Sequence, residues 1–234
     1  MGYGNYIDPF KISPRAALGR NDKDGAALGR NDKAISVISS GAEGGVEKSY
    51  VVGAGEKLAL TFVVLPGESR DIDVAIDLTG EGAEVELKGL YLCGGEETVN
   101  FRILMHHRAG GCVSRQLFNG IAGGSARVRF DGRIIVAPDA QQTEAYQENH
   151  NILLSENAHV ETTPQLEIYA DDVKCSHGAT IGRLDEDALF YMRTRGIPEA
   201  EAKVLQMISF LSPVMAGLEE NKQVEIEKQL QIMA

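Results

Sequence analysis

Cys175 and His177 stand two residues apart in the stretch DDVKCSHGATIG, Asp171 to Gly182, the most chemically loaded part of the chain. On an extended strand alternate side chains share a face. Val173, Cys175, His177, Ala179 and Ile181 then point one way, and Lys174, Ser176 and Thr180 the other. Cys175 and His177 become neighbours about 7 Å apart, aimed alike. A thiolate and an imidazole so placed can both ligate a soft or borderline metal. Two ligands fall short of the about four that structural zinc or an iron–sulfur cluster takes, so another chain or other positions must complete the shell. The same pair could serve as thiol nucleophile and base, although neighbouring strand positions are far apart for the required hydrogen bond. It could also be a structural thiol on an otherwise apolar face. The spacing leaves all three readings open.

Other chemistry is excluded more firmly. GGVEKS at Gly44 to Ser49 superficially resembles a phosphate loop, but Glu47 stands where a glycine must precede the lysine, and a carboxylate there repels phosphate. The sequence has no GxSxG elbow, no HExxH helix and no dinucleotide fingerprint. His106 and His107 adjoin, so on a strand they face opposite ways and form no metal pair. Cys93 and Cys112 each sit beside a glycine pair and read as structural, and no CxxC occurs. Arg127, Arg129 and Arg133 read as a solvated face balanced by acids. Glu144, Glu148, Glu161, Glu167 and Asp171 are scattered carboxylates without motif spacing.

These residues must be positioned by strands. From about Gly45 to Gly182 the apolar pattern has period two: Leu58, Leu60, Phe62 and Val64; Ile72, Val74, Ile76 and Leu78; Val99, Phe101, Ile103 and Met105; then Val128 and Phe130. Turn signals divide the runs, among them Pro66-Gly67, Gly94-Gly95, Gly110-Gly111, Gly123-Gly124 and Asp131-Gly132. The pattern does not choose between sandwich, barrel and β-solenoid. After Gly182 the period becomes helical. Asp185, Glu186 and Asp187 favour a helix start, Gly196 a stop and Pro198 a second start. Val204, Leu205, Ile208 and Leu211 continue that second helix until Pro213, which is expected to end it, and a charged third segment runs from Leu218 to Ile232. The expected organisation is an irregular segment over 1–40, a β-domain over 41–183 and a helical segment over 184–234. AALGRNDK occurs twice, at Ala16 to Lys23 and Ala26 to Lys33, a duplication too short for a solenoid repeat.

Composition bounds the rest. The 234 residues carry 23 basic and 34 acidic side chains, a net charge of −11 that argues against grip on nucleic acid. Hydrophobic residues make up 43%, enough for a core without disulfide or metal staples. No run approaches the ~20 apolar residues of a membrane helix, and MGYGNYIDPF lacks the basic and apolar regions of a secretory signal. The expectation is a cytoplasmic protein with reduced thiols.

The residues from about Gly89 to Phe210 resemble the SufB/SufD family, scaffold subunits of the SUF iron–sulfur cluster assembly machinery. The matching pieces are FDGRIIVAPDAQQTEAYQENHNILLSENAHVETTPQLEIYADDVKCSHGATIG and the following LDEDALFYMRTRGIPEAEA. Within the family the chain looks more like SufD. SufB-type sequences tend to carry an EHEA-like stretch in place of CSHGA and a cysteine in the helix after FY, where this chain has Met192. The resemblance implies a right-handed parallel β-helix followed by a short α-helical tail. It implies a non-enzymatic scaffold, with Cys175 and His177 at a subunit interface near a transient iron–sulfur cluster. Pairing would run through the strands near Gln165 to Gly182, with a second copy as homodimer or with a SufB-like subunit. The helices, with Asp185, Leu189, Phe190, Tyr191, Arg195 and Ile208, would dock a SufC-like ABC ATPase. That partner would bind the nucleotide, and this chain none; a sulfur donor would be a further partner. Family members commonly have an N-terminal helical region where this chain has only its irregular segment. Two other readings compete: a purely structural adaptor of the ATPase that binds no cluster, and a β-solenoid enzyme acting on polysaccharide. The 6% aromatic content speaks against the second.

Overall fold

The computed structural model describes residues 46–234 together with the backbone of Val37 and Ile38; the AALGRNDK duplication and the expected irregular segment lie outside the described residues, those two positions excepted. Eleven strands come first: β1 (Val37–Ile38), β2 (Val46–Val52), β3 (Lys57–Val64), β4 (Arg70–Leu78), β5 (Glu84–Cys93), β6 (Thr98–His107), β7 (Val113–Ala122), β8 (Arg127–Val136), β9 (Thr143–Leu153), β10 (His159–Ile168) and β11 (Val173–Gly182). Three helices follow: α1 (Glu186–Thr194), α2 (Glu199–Met215) and α3 (Glu220–Met233). Odd strands form one sheet in the order β1-β3-β5-β7-β9-β11, and even strands the other, β10-β8-β6-β4-β2. Each strand from β1 to β9 pairs in parallel with the strand two places on in sequence. The chain is therefore a parallel β-solenoid of about five turns, as expected, followed by three C-terminal helices.

The period-two residues meet inside the coil. Leu58, Leu60 and Phe62 of β3 face Ile72, Val74 and Ile76 of β4, and a stack of rings continues upward. Its ring centroids lie 5.1 Å apart for Tyr91 and Phe101 and 4.8 Å apart for Phe118 and Phe130. Two of these rings use space that glycine leaves. Gly120 lies in register with Tyr91 on β5, and a Cβ there would fall 1.7 Å from the Tyr91 ring. At one corner of the coil the turns stack as a ladder, with Gly55, Gly82 and Gly111 donating in turn to the carbonyls of Glu81, Gly110 and Gln141. All three adopt left-handed φ near +66° to +69°, which glycine reaches without steric cost. Gln142 fills the fourth such position at φ 59° and donates to Asp172.

The odd-strand sheet is covered outside as well as inside. Val63, Leu90, Leu92, Ile121 and Ile152 point outward and pack against Met207, Leu211 and Val214 of α2 and Ile226 and Leu230 of α3. Fully burying each such side chain contributes about 1.5–3 kcal/mol, so α2 and α3 are parts of the folded body. Asn119 Nδ2 donates to the Phe210 carbonyl at 2.7 Å and fixes α2 on the sheet. Helix α2 does not end at Pro213, as the sequence suggests, but runs on to Met215. Proline lacks the N–H that would reach the Ser209 carbonyl. The Ser212 hydroxyl donates to that carbonyl at 2.8 Å instead, and the helix continues.

Candidate functional site

The coil ends at β10 and β11, each paired on one side only among the described residues. Cys175 and His177 lie on β11, in register with Ala145 and Gln147 of β9. Ala145 and Gln147 are fully buried inward-facing residues, so the thiol and imidazole of the next rung continue the interior column at its open end. Cys175 is half-buried against the core and His177 is exposed. Burial raises the Cys175 thiol above its ordinary range, against a smaller lowering by a hydrogen bond from the Ala145 backbone. A thiol so held is protonated near neutral pH and becomes a good ligand only when a metal displaces its proton. That environment disfavours the nucleophile reading. Among the described residues no cluster of three or more His, Cys, Asp or Glu side chains could hold a metal ion. The pair is a partial donor set that opens onto an edge.

Ile168, Tyr169 and Ile181 are 41%, 62% and 45% exposed along that end, beside the exposed Lys174, Ser176, His177 and Thr180 of β11. Beyond it, Asp185 caps α1 by accepting from the Asp187 and Ala188 N–H groups at 2.9 and 3.0 Å. Gln206 of α2 grips the same residue, accepting from its N–H and donating to its carbonyl, each at 2.9 Å. Phe190 and Tyr191 stand 68% and 58% exposed on α1, and the Arg195 guanidinium lies 5.0 Å from the Tyr191 ring centroid. Leu189 is buried, and Ile208 is half-buried against the helix–sheet core. The structure thus gathers Phe190, Tyr191 and Arg195 on one exposed surface, while Asp185, Leu189 and Ile208 hold the helices in place.

Polar residues inside the coil carried no motif in the sequence. Below the open end, Gln116, Gln147, Asn149 and Asn151 are buried on successive inward positions of β7 and β9. Asn151 Nδ2 donates to Asn149 Oδ1 at 2.8 Å, and the Tyr91 hydroxyl donates to Asn151 Oδ1. Asn149 Nδ2 reaches the Tyr91 hydroxyl at 3.3 Å. Their trace in the sequence is the period-two spacing of Gln147, Asn149 and Asn151, which here marks buried amides. His106 and His107 face opposite ways as expected: His107 is fully buried with Nε2 2.8 Å from the Ser114 hydroxyl, and His106 lies 3.3 Å from Asp77. Cys93 and Cys112 are buried free thiols, raised by that burial. The arginine face is balanced by acids: Arg129 meets Asp131 at 2.8 Å, Arg133 meets Glu167 at 3.4 Å, and Arg102 is bound to Asp73.

No helix among the described residues is long and apolar enough to cross a membrane. Residues 39–210 match the family described as SUF system FeS cluster assembly, SufBD core domain. The iron–sulfur cluster assembly protein SufD of Escherichia coli is 38% identical over 148 residues, 63% of this chain and 35% of that protein. SufD of Bacillus subtilis is 34% identical over 142 residues, 61% and 32% of the two chains. An iron–sulfur cluster assembly SufBD family protein of Mycobacterium tuberculosis is 29% identical over 194 residues, 77% and 49%. The chain spans about a third to a half of the length of these curated relatives. With the core-domain match running from the first coil into α2, the chain belongs to the SufB/SufD family of the SUF iron–sulfur cluster assembly system and is SufD-like.

Proposed function

We propose that this chain is a non-enzymatic scaffold subunit on which an iron–sulfur cluster is assembled between two subunits. The observation that carries the reading is the position of Cys175 and His177 on the inward face of the last strand, at an edge that is unpaired among the described residues and exposes Ile168, Tyr169 and Ile181. A second subunit, another copy or a SufB-like chain, adds its strands to β10 and β11 and brings the missing ligands. The nascent cluster is cargo: Cys175 supplies a thiolate once iron displaces its proton, and His177 supplies a neutral imidazole nitrogen. Desolvation by the incoming subunit strengthens both bonds. Phe190, Tyr191 and Arg195 form the docking surface for an ABC-type ATPase, which supplies the nucleotide chemistry. The protein works in the cytoplasm, where its thiols stay reduced.

Anaerobic reconstitution with iron and sulfide, in the presence of the partner subunit and the ATPase, tests the assignment. The optical absorption of the cluster should weaken strongly in Cys175→Ala and in His177→Ala. Unchanged spectra in both variants remove these residues as ligands and leave the structural adaptor, for which the half-buried, protonated Cys175 thiol is ordinary packing.

A further inference from the structure

We infer that Gln147 is a positioning residue for His177, accepting a hydrogen bond from its imidazole N–H and so fixing which ring nitrogen is left free to bind metal. The inference rests on the assembly reading given above, which makes His177 a ligand. Gln116, Gln147 and His177 occupy one inward column on three successive rungs, β7, β9 and β11. Gln147 Nε2 donates down the column to Gln116 Oε1 at 3.1 Å. Amides stacked along parallel strands pass their hydrogen bonds in one direction, each oxygen accepting from the rung above. Gln147 Oε1 is fully buried and has no partner, so the ladder stops one bond short at the rung where His177 stands.

The surroundings offer few other donors. Gln147 lies against Gly132 across the lumen, where a Cβ would come within 2.5 Å of its Nε2. The residue above Gly132 on β10 is Pro164, which has no N–H. The inward neighbours of His177 on β11 are Cys175 and Ala179, a weak S–H donor and none. Thr162, two residues from Pro164, has a buried hydroxyl without a partner, and Gln116 Nε2 on the rung below is a buried donor likewise without one; among the described residues these two compete with His177. Imidazole carries at least one N–H in both its neutral and its protonated form, so it suits a permanent acceptor. A ring nitrogen tied to a carbonyl oxygen leaves the opposite nitrogen with its lone pair directed at the metal, the usual outer-shell arrangement of a ligating histidine.

The test uses the full chain without iron, labelled with nitrogen-15 at histidine. Two-bond proton–nitrogen correlations are recorded at about pH 8, above the ordinary imidazole range, with His177 identified by the signal lost in His177→Ala. The wild type should show one His177 tautomer, with its N–H nitrogen shifted as for a hydrogen-bonded donor. Gln147→Met should give the mixed tautomers of a free imidazole, Gln147→Glu should keep a single one, and Thr162→Val should change nothing. Mixed tautomers in the wild type overturn the inference without recourse to any variant. So does a pattern that responds to Thr162→Val instead of Gln147→Met. Iron titration of the same proteins with the partner subunit should show about 10- to 100-fold weaker binding in Gln147→Met. Iron binding that survives His177→Ala removes His177 as a ligand in the assembly reading, whereas the spectra judge the hydrogen bond independently.

Discussion

Acid should reveal the cost of keeping His107 neutral. Its imidazole ends β6 inside the coil, fully buried, with the Ser114 hydroxyl 2.8 Å from Nε2. Burial, with a smaller contribution from neighbouring His106, lowers its pKa from 6.5 to about 4. The unfolded chain therefore binds a proton first as pH falls. Stability from this residue is complete above about pH 6.5, declines through the window and is lost below about pH 4. Holding the imidazole neutral down to about pH 4 corresponds to ~3 kcal/mol, of which ~2.5 kcal/mol is already lost at about pH 4.5. His107→Gln keeps a polar side chain but does not titrate. At about pH 7.5 the variant should be less stable by ~1 kcal/mol, through a poorer hydrogen bond to Ser114. By about pH 4.5 the order should invert, with the variant ahead by ~1.5 kcal/mol, because only the wild type pays for protonation. Urea unfolding at both pH values measures the difference, and the carboxylates are common to both proteins. A stability difference that does not change with pH would refute a neutral, buried His107.

Three further outcomes follow from the geometry. Gly120→Ala drives a Cβ into the Tyr91 ring and displaces its hydroxyl from Asn151, so unfolding free energy should fall by about 3 kcal/mol; a Tyr91→Leu background should remove much of that loss. Asp185→Ala removes the cap of α1 and should cost ~1 kcal/mol locally, read as faster amide exchange at Asp187 and Ala188 with the coil unaffected. Phe190→Ala with Tyr191→Ala removes two exposed rings and should leave thermal stability nearly unchanged while weakening ATPase binding at least tenfold in a pull-down or titration; undiminished binding would place docking elsewhere.

The coil was legible where one face of a strand is dry and the other wet, as in Ile72, Val74, Ile76 and Leu78 of β4. Period two identifies a strand but not its partner, so sandwich, barrel and solenoid stayed equivalent until family resemblance separated them. The outward Val63, Leu90, Leu92 and Ile121 blur the alternation because α2 and α3 cover them, a double burial that no local pattern announces. Pro213 misled for a similar reason: the rule for proline is sound, but a neighbouring serine hydroxyl replaces the missing donor. Cys175 and His177 were readable as a pair because their geometry is local to one strand. Gln147 was not, since its role comes from cross-strand register with Gln116 and His177, residues some thirty positions away on either side. Leu189 and Ile208 illustrate the limit for the tail, where helical spacing alone does not tell a residue facing its own chain from one facing outward.

Only Arg183, Leu184 and Asp185 separate the end of β11 from the start of α1. Three residues extend at most about 10 Å, and the last of them is held by Gln206. A pull applied to the aromatic surface of α1 therefore meets almost no slack before it bears on α2, through Gln206, and on the strand that carries Cys175 and His177.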